Sequence, residues 1–224
     1  MTLKAPAKIN LTLDVIGKLP NGYHTIDSIF QFVSIYDIID IEKNDELIIT
    51  SNINLPKENT VYKAAYGLAY KIHIEKHIPV MAGLGGGSSD AAAVLKFFGR
   101  ESSADSIGDD VKYFLMPHEV IMPNFYVVIQ GNERNSTKEM YDRLDKIEIN
   151  HTNTLYTNVF EQALPKESEI FEIKSALLHT GAFAAAMSGS GSAVYGVFND
   201  YASAKNCEEK LKGKYAFVQA CYGI

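Results

Sequence analysis

Residues 79–91 of this 224-residue chain read P-V-M-A-G-L-G-G-G-S-S-D-A. Gly83, Gly85, Gly86 and Gly87 let a backbone approach a ligand closely and take positive φ where that is needed. Ser88, Ser89 and Asp90 stand where an alanine-rich helix is predicted to begin, and each is a residue type that caps helices. Unpaired N–H groups and the positive end of the helix dipole then face the loop, and a phosphate fits there. The loop has no Lys to complete G-x-x-x-x-G-K-[ST], and it fits G-x-G-x-x-G poorly because Ser89 would have to be the third glycine. A flexible Gly/Ser linker is the competing reading. A strand-like run on one side and A-A-A-V-L-K-F-F on the other favour a phosphate-binding loop, built for a nucleotide.

The flanking elements have to hold that loop in place. Residues 9–15 (I-N-L-T-L-D-V) alternate apolar and polar, the period of a strand. P-N-G-Y at residues 20–23 marks a turn, and residues 26–41, rich in Ile, Phe, Val and Tyr, read as a second strand. A short strand follows over 46–51, then a helix over 59–72 with Asn59 and Thr60 as caps, then a strand over 71–80 that leads into the loop. A helix is predicted over 89–98 and a short one over 105–115, ending near Pro117. Downstream come a β-rich run over 124–130, capping-box spacing from Ser136 to Glu139, and a helix over 171–180 that stops at Gly181. A strand at 184–187 leads into S-G-S-G-S at 188–192 and a buried strand at 193–198. A helix over 201–211 and a strand over 216–221 close the chain. Both halves mix strand and helix, which predicts an α+β fold.

The composition narrows the function classes. Hydrophobic residues make up 46% and charged residues 21%, the balance of an ordinary globular protein with enough chain for a core. A net charge of −6 without any basic run argues against nucleic acid as the partner. The only cysteines, Cys207 and Cys221, suit reduced core thiols in a cytoplasmic protein rather than a disulfide scaffold. No apolar run approaches the roughly 18 residues of a membrane span, and M-T-L-K-A-P-A-K lacks the apolar stretch of a signal peptide. His73 and His77 flank Glu75 on one predicted strand but have no third ligand, so no protein metal site is read.

Three motifs occur in order: P-A-K-I-N-L-T-L-D-V at 6–15 followed by N-G-Y-H at 21–24, the glycine loop, and M-S-G-S-G-S-A-V-Y-G-V-F at 187–198. Together they resemble the galactokinase, homoserine, mevalonate and phosphomevalonate (GHMP) kinase superfamily, and the resemblance covers most of the chain. It implies a two-lobed α+β fold, here lobes 1–130 and 131–224, with ATP and substrate in the cleft between lobes. It implies transfer of the γ-phosphate of ATP, with Mg²⁺, to a hydroxyl of a small molecule. The opening motif, G-L-G-G-G-S-S-D and F-Q-F at 30–32 are closest to the branch whose substrate is a cytidine-diphosphate-linked methylerythritol. A cytoplasmic monomer or weak homodimer is expected.

The resemblance also implies roles for single residues. Lys8 would be the catalytic lysine, stabilising charge near the acceptor hydroxyl and the transferring phosphoryl, where the residues alone equally allow a solvated strand-edge lysine. Asp110, in I-G-D-D-V-K-Y-F, matches the base that takes the hydroxyl proton; Asp109 competes, but Val111 sets the register. Pro79, Val80, Met81, Ala82, Gly83, Leu84, Gly85, Gly86, Gly87, Ser88 and Ser89 would bind ATP. Asn10, Tyr23, His24, Phe30, Thr137 and Tyr141 would line the substrate pocket, with His24 reading the cytosine edge and Tyr23 and Tyr141 stacking on its ring. The S-G-S-G-S turn would be a second backbone nest.

The chain departs from the family pattern at Lys112, where proline is usual, and around Asp110. F-G-R-E-S-S-A-D stands in place of a longer helical stretch before it, and M-P-H-E-V-I-M-P in place of a G-G-x-A-x-x-x-G-x-G segment after it. Another kinase of the superfamily, or a nucleotide-binding protein with impaired catalysis, therefore stays open as an alternative.

Overall fold

The structure is a computed structural model that describes residues 1–108, 110–116, 124–152 and 154–224. In chain order the strands and helices are β1 (Thr2–Lys18), β2 (His24–Lys43), β3 (Ile48–Ser51), α1 (Thr60–Ala65), β4 (Tyr70–Glu75) and α2 (Gly86–Phe98). They continue with α3 (Val111–Leu115), β5 (Phe125–Gln130), α4 (Thr137–Leu144), β6 (Thr157–Asn158), α5 (Glu169–His179), β7 (Ala184–Met187), β8 (Ala193–Phe198), α6 (Tyr201–Leu211) and β9 (Phe217–Tyr222). Short 3₁₀ segments cover Glu101–Ser106 and Val159–Ala163. Strand and helix mix throughout, as an α+β fold requires.

The chain forms two compact units that interleave in sequence. The first takes Met1–Ala7, Ser34–Val80 and Gly85–Glu119; the second takes Lys8–Val33, Met81–Leu84 and Val120–Ile224. In the first unit the strand order is β3-β4-β2-β1. β2 pairs antiparallel with β4 so that Ile39 faces Ile74 and Ile41 faces Ile72, while β3 runs parallel to β4 after the α1 crossover. Those isoleucines are buried with Val61, Ala64 and Ala65 of α1 and Ala91, Ala92, Val94 and Leu95 of α2. The small alanines let α1 and α2 pack closely within this core.

The second unit contains an antiparallel sheet of order β7-β8-β5-β9, with β5 central and buried along nearly its whole length. β2, β1 and β6 form its other strand set, β6 running parallel to β1 with Thr12 opposite Thr157. α5 and α6 cover the antiparallel sheet through Ile170, Ile173, Leu177, Ala204, Cys207 and Leu211. Cys207 and Cys221 are free and buried, and burial pushes both thiols up, away from reactivity.

Several local expectations are corrected. The helix expected over 59–72 ends at Ala65, and the residues from Tyr70 instead pair as β4, because strand pairing and burial of Ile72 and Ile74 outweigh the helical pattern. Asn59 does cap it, its side chain accepting from the Tyr62 N–H. The segment expected as a helix over 105–115 divides into the 3₁₀ turn and α3, and the expected end near Pro117 lies outside the described residues. Ser136 sits at the N-cap of α4, but its side chain makes no capping bond.

Candidate active site

The glycine loop is built where the two units meet along the sequence: Pro79 and Val80 belong to the first, Met81–Leu84 to the second, and Gly85 onward to the first again. α2 begins at Gly86, three residues before the expected start, and its N-cap is Gly85 at φ 70°, not a serine or aspartate. No side chain caps this helix end. Gly85 takes the left-handed conformation that the sharp entry demands, and this leaves the N–H groups of Gly86, Gly87 and Ser88 without a partner among the described residues. Three such donors at the positive end of a 13-residue helix are disposed as an anion would require. Thr60 steadies it by donating from Oγ1 to the Gly87 carbonyl at 2.6 Å.

Below the cradle, in the first unit, lies a buried charge cluster. Lys76 Nζ donates to Asp37 and, at 2.7 Å, to Asp90 Oδ2. Asp37 Oδ1 also accepts the N–H groups of His77 at 2.6 Å and Ile78 at 2.8 Å. Burial, and then the nearby Asp37, push the Asp90 carboxyl up to about 7 against the pull of Lys76. Burial lowers the Lys76 ammonium, but Asp90 and Asp37 more than offset that and hold it raised. Ser89 Oγ and Asp90 Oδ1 are buried with no hydrogen-bond partner among the described residues. At Gly86 a Cβ would approach Ile78 Cγ2 to 3.0 Å and Lys76 Nζ to 3.2 Å, tighter than an ordinary contact, so glycine gives the cluster room. Asp110 stands in this unit too, at the N-cap of α3, half-buried and with its carboxylate making no capping bond.

In the second unit, Lys8, Asn10, Phe30, Gly83, Thr137 and the S-G-S-G-S turn come together. Lys8 is only 5% exposed. Its Nζ donates to Asn10 Oδ1 at 2.5 Å and lies 5.3 Å from the centre of the Phe30 ring. The same Asn10 oxygen accepts the Gly189 N–H at 2.8 Å and the Ser188 hydroxyl at 3.3 Å. Asn10 Nδ2 donates to Ser28 Oγ at 2.7 Å. One amide thus ties the lysine to the turn. The carbonyls of Ala82, Gly83 and Leu84 accept from Ala193 N, Ser188 Oγ and Lys8 N at 3.0, 2.9 and 3.0 Å. At Gly83, with φ +73°, a Cβ would fall 2.1 Å from the Ser188 carbonyl oxygen, so only glycine allows this close approach. Thr137 Oγ1 lies 2.9 Å from Ser190 Oγ.

Of the residues expected at the substrate base, His24 and Tyr141 come together in a separate cluster of the same unit, and Tyr23 is not seen to join them. His24 stacks on Tyr141 with ring centres 4.4 Å apart and planes 14° apart, and Tyr141 meets Phe160 edge-on. Tyr23 is 63% exposed. His24 Nε2 lies 2.7 Å from Asp145 Oδ1, and Lys18 Nζ bonds Asp145 Oδ2 at 2.5 Å.

A model of the GHMP kinases N terminal domain matches residues 54–107, and a model of the GHMP kinases C terminal matches residues 137–216. This chain belongs to the GHMP kinase family. Among curated relatives, the 4-diphosphocytidyl-2-C-methyl-D-erythritol kinase of Clostridium perfringens is 35% identical over 274 aligned positions that take in 97% of this chain and 95% of the relative. The enzyme of the same name from Clostridium tetani is 33% identical over 96% of this chain and 97% of the relative. Among solved structures, a 4-(cytidine 5'-diphospho)-2C-methyl-D-erythritol kinase superposes with a TM-score of 0.87 at 27% identity, covering 100% of this chain and 99% of that one. The mevalonate kinase of Methanococcus jannaschii shares the fold, with a TM-score of 0.67, 16% identity and coverage of 100% and 98%.

As a GHMP kinase, the chain is an ATP-dependent phosphotransferase. An alignment of 274 positions that uses 97% of 224 residues leaves about 57 positions where the Clostridium perfringens enzyme has a residue and this chain has none. Sequence reasoning missed Lys76 and Asp37 because each, alone, is an ordinary strand residue. It also missed Ser28, and Asn158, whose Nδ2 holds the Met187 and Gly189 carbonyls at 2.8 Å each. The capping preference of Ser88, Ser89 and Asp90 misled because the glycines let the helix begin earlier.

Proposed function

We propose that this GHMP kinase transfers the γ-phosphoryl group of ATP to the 2-hydroxyl of 4-diphosphocytidyl-2-C-methyl-D-erythritol, a step toward isoprenoid precursors. The reading is carried by the 35% identity to enzymes of that name along 97% of the chain. The intact phosphate cradle at the start of α2 supports it. In the reaction, the acceptor oxygen bonds the γ-phosphorus, the bond to the β–γ bridging oxygen breaks, and ADP departs. Asp110 takes the hydroxyl proton, and its carboxylate is not occupied by helix capping. Lys8, preoriented by Asn10, stabilises the charge on the transferring group. Residues 79–89 hold the phosphates of ATP. Asn10, Phe30 and Thr137 shape the acceptor end, and Tyr23, His24 and Tyr141 the cytosine end.

The residues present also fit Mg²⁺. A nucleotide-bound Mg²⁺ takes most ligands from phosphate and water and needs only one or two protein oxygens. Ser89 Oγ and Asp90 Oδ1, both buried and unpartnered, are of that kind and would hold it, directly or through water. When bound, the ion neutralises phosphate charge. The family matches at 54–107 and 137–216 are in keeping with N- and C-terminal lobes of residues 1–130 and 131–224, although the compact units interleave and do not divide at a single boundary. A cytoplasmic monomer or weak homodimer completes the reading, and no helix is long and apolar enough to cross a membrane among the described residues.

A panel of alcohol substrates with ATP tests the assignment. Turnover of the cytidine-diphosphate substrate supports it, and turnover of another alcohol alone refutes it in favour of a different GHMP activity. A second reading, nucleotide binding with impaired catalysis, is favoured by the roughly 57 absent positions. It predicts ATP binding with no turnover of any member of the panel.

A further inference from the structure

Asp145 is the first residue after α4, and its side chain is about one-third exposed. Its two oxygens are used separately. Oδ2 bonds Lys18 Nζ at 2.5 Å, and Oδ1 lies 2.7 Å from His24 Nε2. Lys18 at the end of β1 and then His24 hold the carboxyl below its ordinary range, so it is a carboxylate at neutral pH. A carboxylate only accepts hydrogen bonds, so Nε2 of His24 must carry the hydrogen. In a neutral ring Nδ1 then bears the lone pair, and it has no hydrogen-bond partner among the described residues. The ring cannot turn over freely to exchange its nitrogens, because it is stacked 4.4 Å from Tyr141 and its side chain is 9% exposed.

We propose that Asp145 is a positioning residue that fixes which ring nitrogen His24 offers, and through it selects an amino-pyrimidine over a keto-pyrimidine. The inference rests on the reading, made above, that His24 faces the cytosine of the substrate. An acceptor at Nδ1 matches the exocyclic amine of cytosine, which donates. Uracil carries a carbonyl oxygen at that position, and two acceptors would face each other without a hydrogen between them. Lys18 contributes by bonding the second carboxylate oxygen, which favours the Asp145 rotamer that reaches His24.

The test uses the full chain with cytidine diphosphate and uridine diphosphate as probes. Nitrogen–proton correlation spectra of ¹⁵N-histidine-labelled protein at pH 7.5 should show His24 as the Nε2–H tautomer, and Asp145→Ala should convert it to a mixture. Calorimetric titration should show cytidine diphosphate bound about tenfold more tightly than uridine diphosphate, roughly one net hydrogen bond. Asp145→Ala should bring that ratio to within about twofold, and Asp145→Asn, which keeps an accepting oxygen, should restore most of it. Wild-type His24 found as the Nδ1–H tautomer or doubly protonated overturns the proposal. So does an unchanged ratio in Asp145→Ala while cytidine diphosphate still binds, and this outcome leaves the proposed substrate standing. Failure of the wild type to bind cytidine diphosphate at all removes the proposed substrate and the inference with it.

Discussion

Replacing Lys76 with Met keeps most of the side-chain volume and removes the cation of the buried cluster beneath the start of α2. Asp37 is 0% exposed and Asp90 2%, so both carboxyls lose their partner inside the protein. Removing one member of a buried ion pair costs about 3–5 kcal/mol. Asp37 retains the two backbone N–H groups of His77 and Ile78, so most of the loss falls on Asp90, whose Oδ1 already has no partner among the described residues. The Asp90 carboxyl, raised to about 7, holds in the folded state a proton that the unfolded chain releases near pH 4. Its contribution therefore lowers stability as pH climbs from there to about 7, and then levels off. Without Lys76 the folded-state value rises further, and the decline continues above pH 7 at up to about 1.4 kcal/mol per pH unit. The stabilising contribution of the raised Lys76 ammonium is fully present below about pH 10.4 and so stays constant across this range. The expected loss is about 3 kcal/mol at pH 6 and about 5 kcal/mol at pH 8.5. At about 2–4 °C per kcal/mol for a chain of this size, Tm falls by roughly 6–12 °C at the lower pH. Urea unfolding followed by circular dichroism at both pH values measures it. A loss under about 1 kcal/mol at both, or one that fails to grow with pH, refutes this account of the cluster.

Three further outcomes are expected. Asp110→Asn should lower kcat by about 10²–10⁴-fold while the Kd for ATP, measured by titration, stays within about threefold; near-normal turnover removes Asp110 from the mechanism. His24→Ala should raise KM for the cytidine substrate by about tenfold, the scale of one lost stacking or hydrogen-bonding contact, with the ATP KM nearly unchanged; equal effects on both contradict a base-reading role. Gly83→Ala combines a positive φ with a Cβ 2.1 Å from the Ser188 carbonyl, so the loop must move. Displacement of about 1 Å should cost on the order of 100-fold in kcat/KM, and wild-type kinetics would show that the close approach is dispensable.

Elements with strong local signals were legible in the residues. The alternation at 9–15, the P-N-G-Y turn and the β-rich run at 124–130 all became strands or the turn joining them, because period and turn chemistry act within a few residues. The helix over 201–211 was equally plain, with Asp200 accepting from the Ser203 N–H as its cap. Where neighbours far along the chain decide, local reading failed. The helical pattern of 59–72 gave way at Tyr70 because β4 finds a partner in β2, about thirty residues upstream.

The same division holds at the candidate site. Residue types and spacing alone read the glycine loop as an anion cradle, since glycines tolerate such backbone paths, whereas Lys8 and Asn10 were marked only by the family resemblance. The order of the three motifs marked the family. Tertiary structure decided what each side chain does. It made Asn10 Oδ1 a junction for Lys8, Ser188 and Gly189, and placed Asp37, from β2, and Lys76, just past β4, under the start of α2. It turned His24 onto Tyr141 and against Asp145, a residue 121 positions away. A buried charge or a fixed tautomer depends on partners that meet only when strands from distant parts of the chain pair. No local pattern in the sequence encodes that meeting.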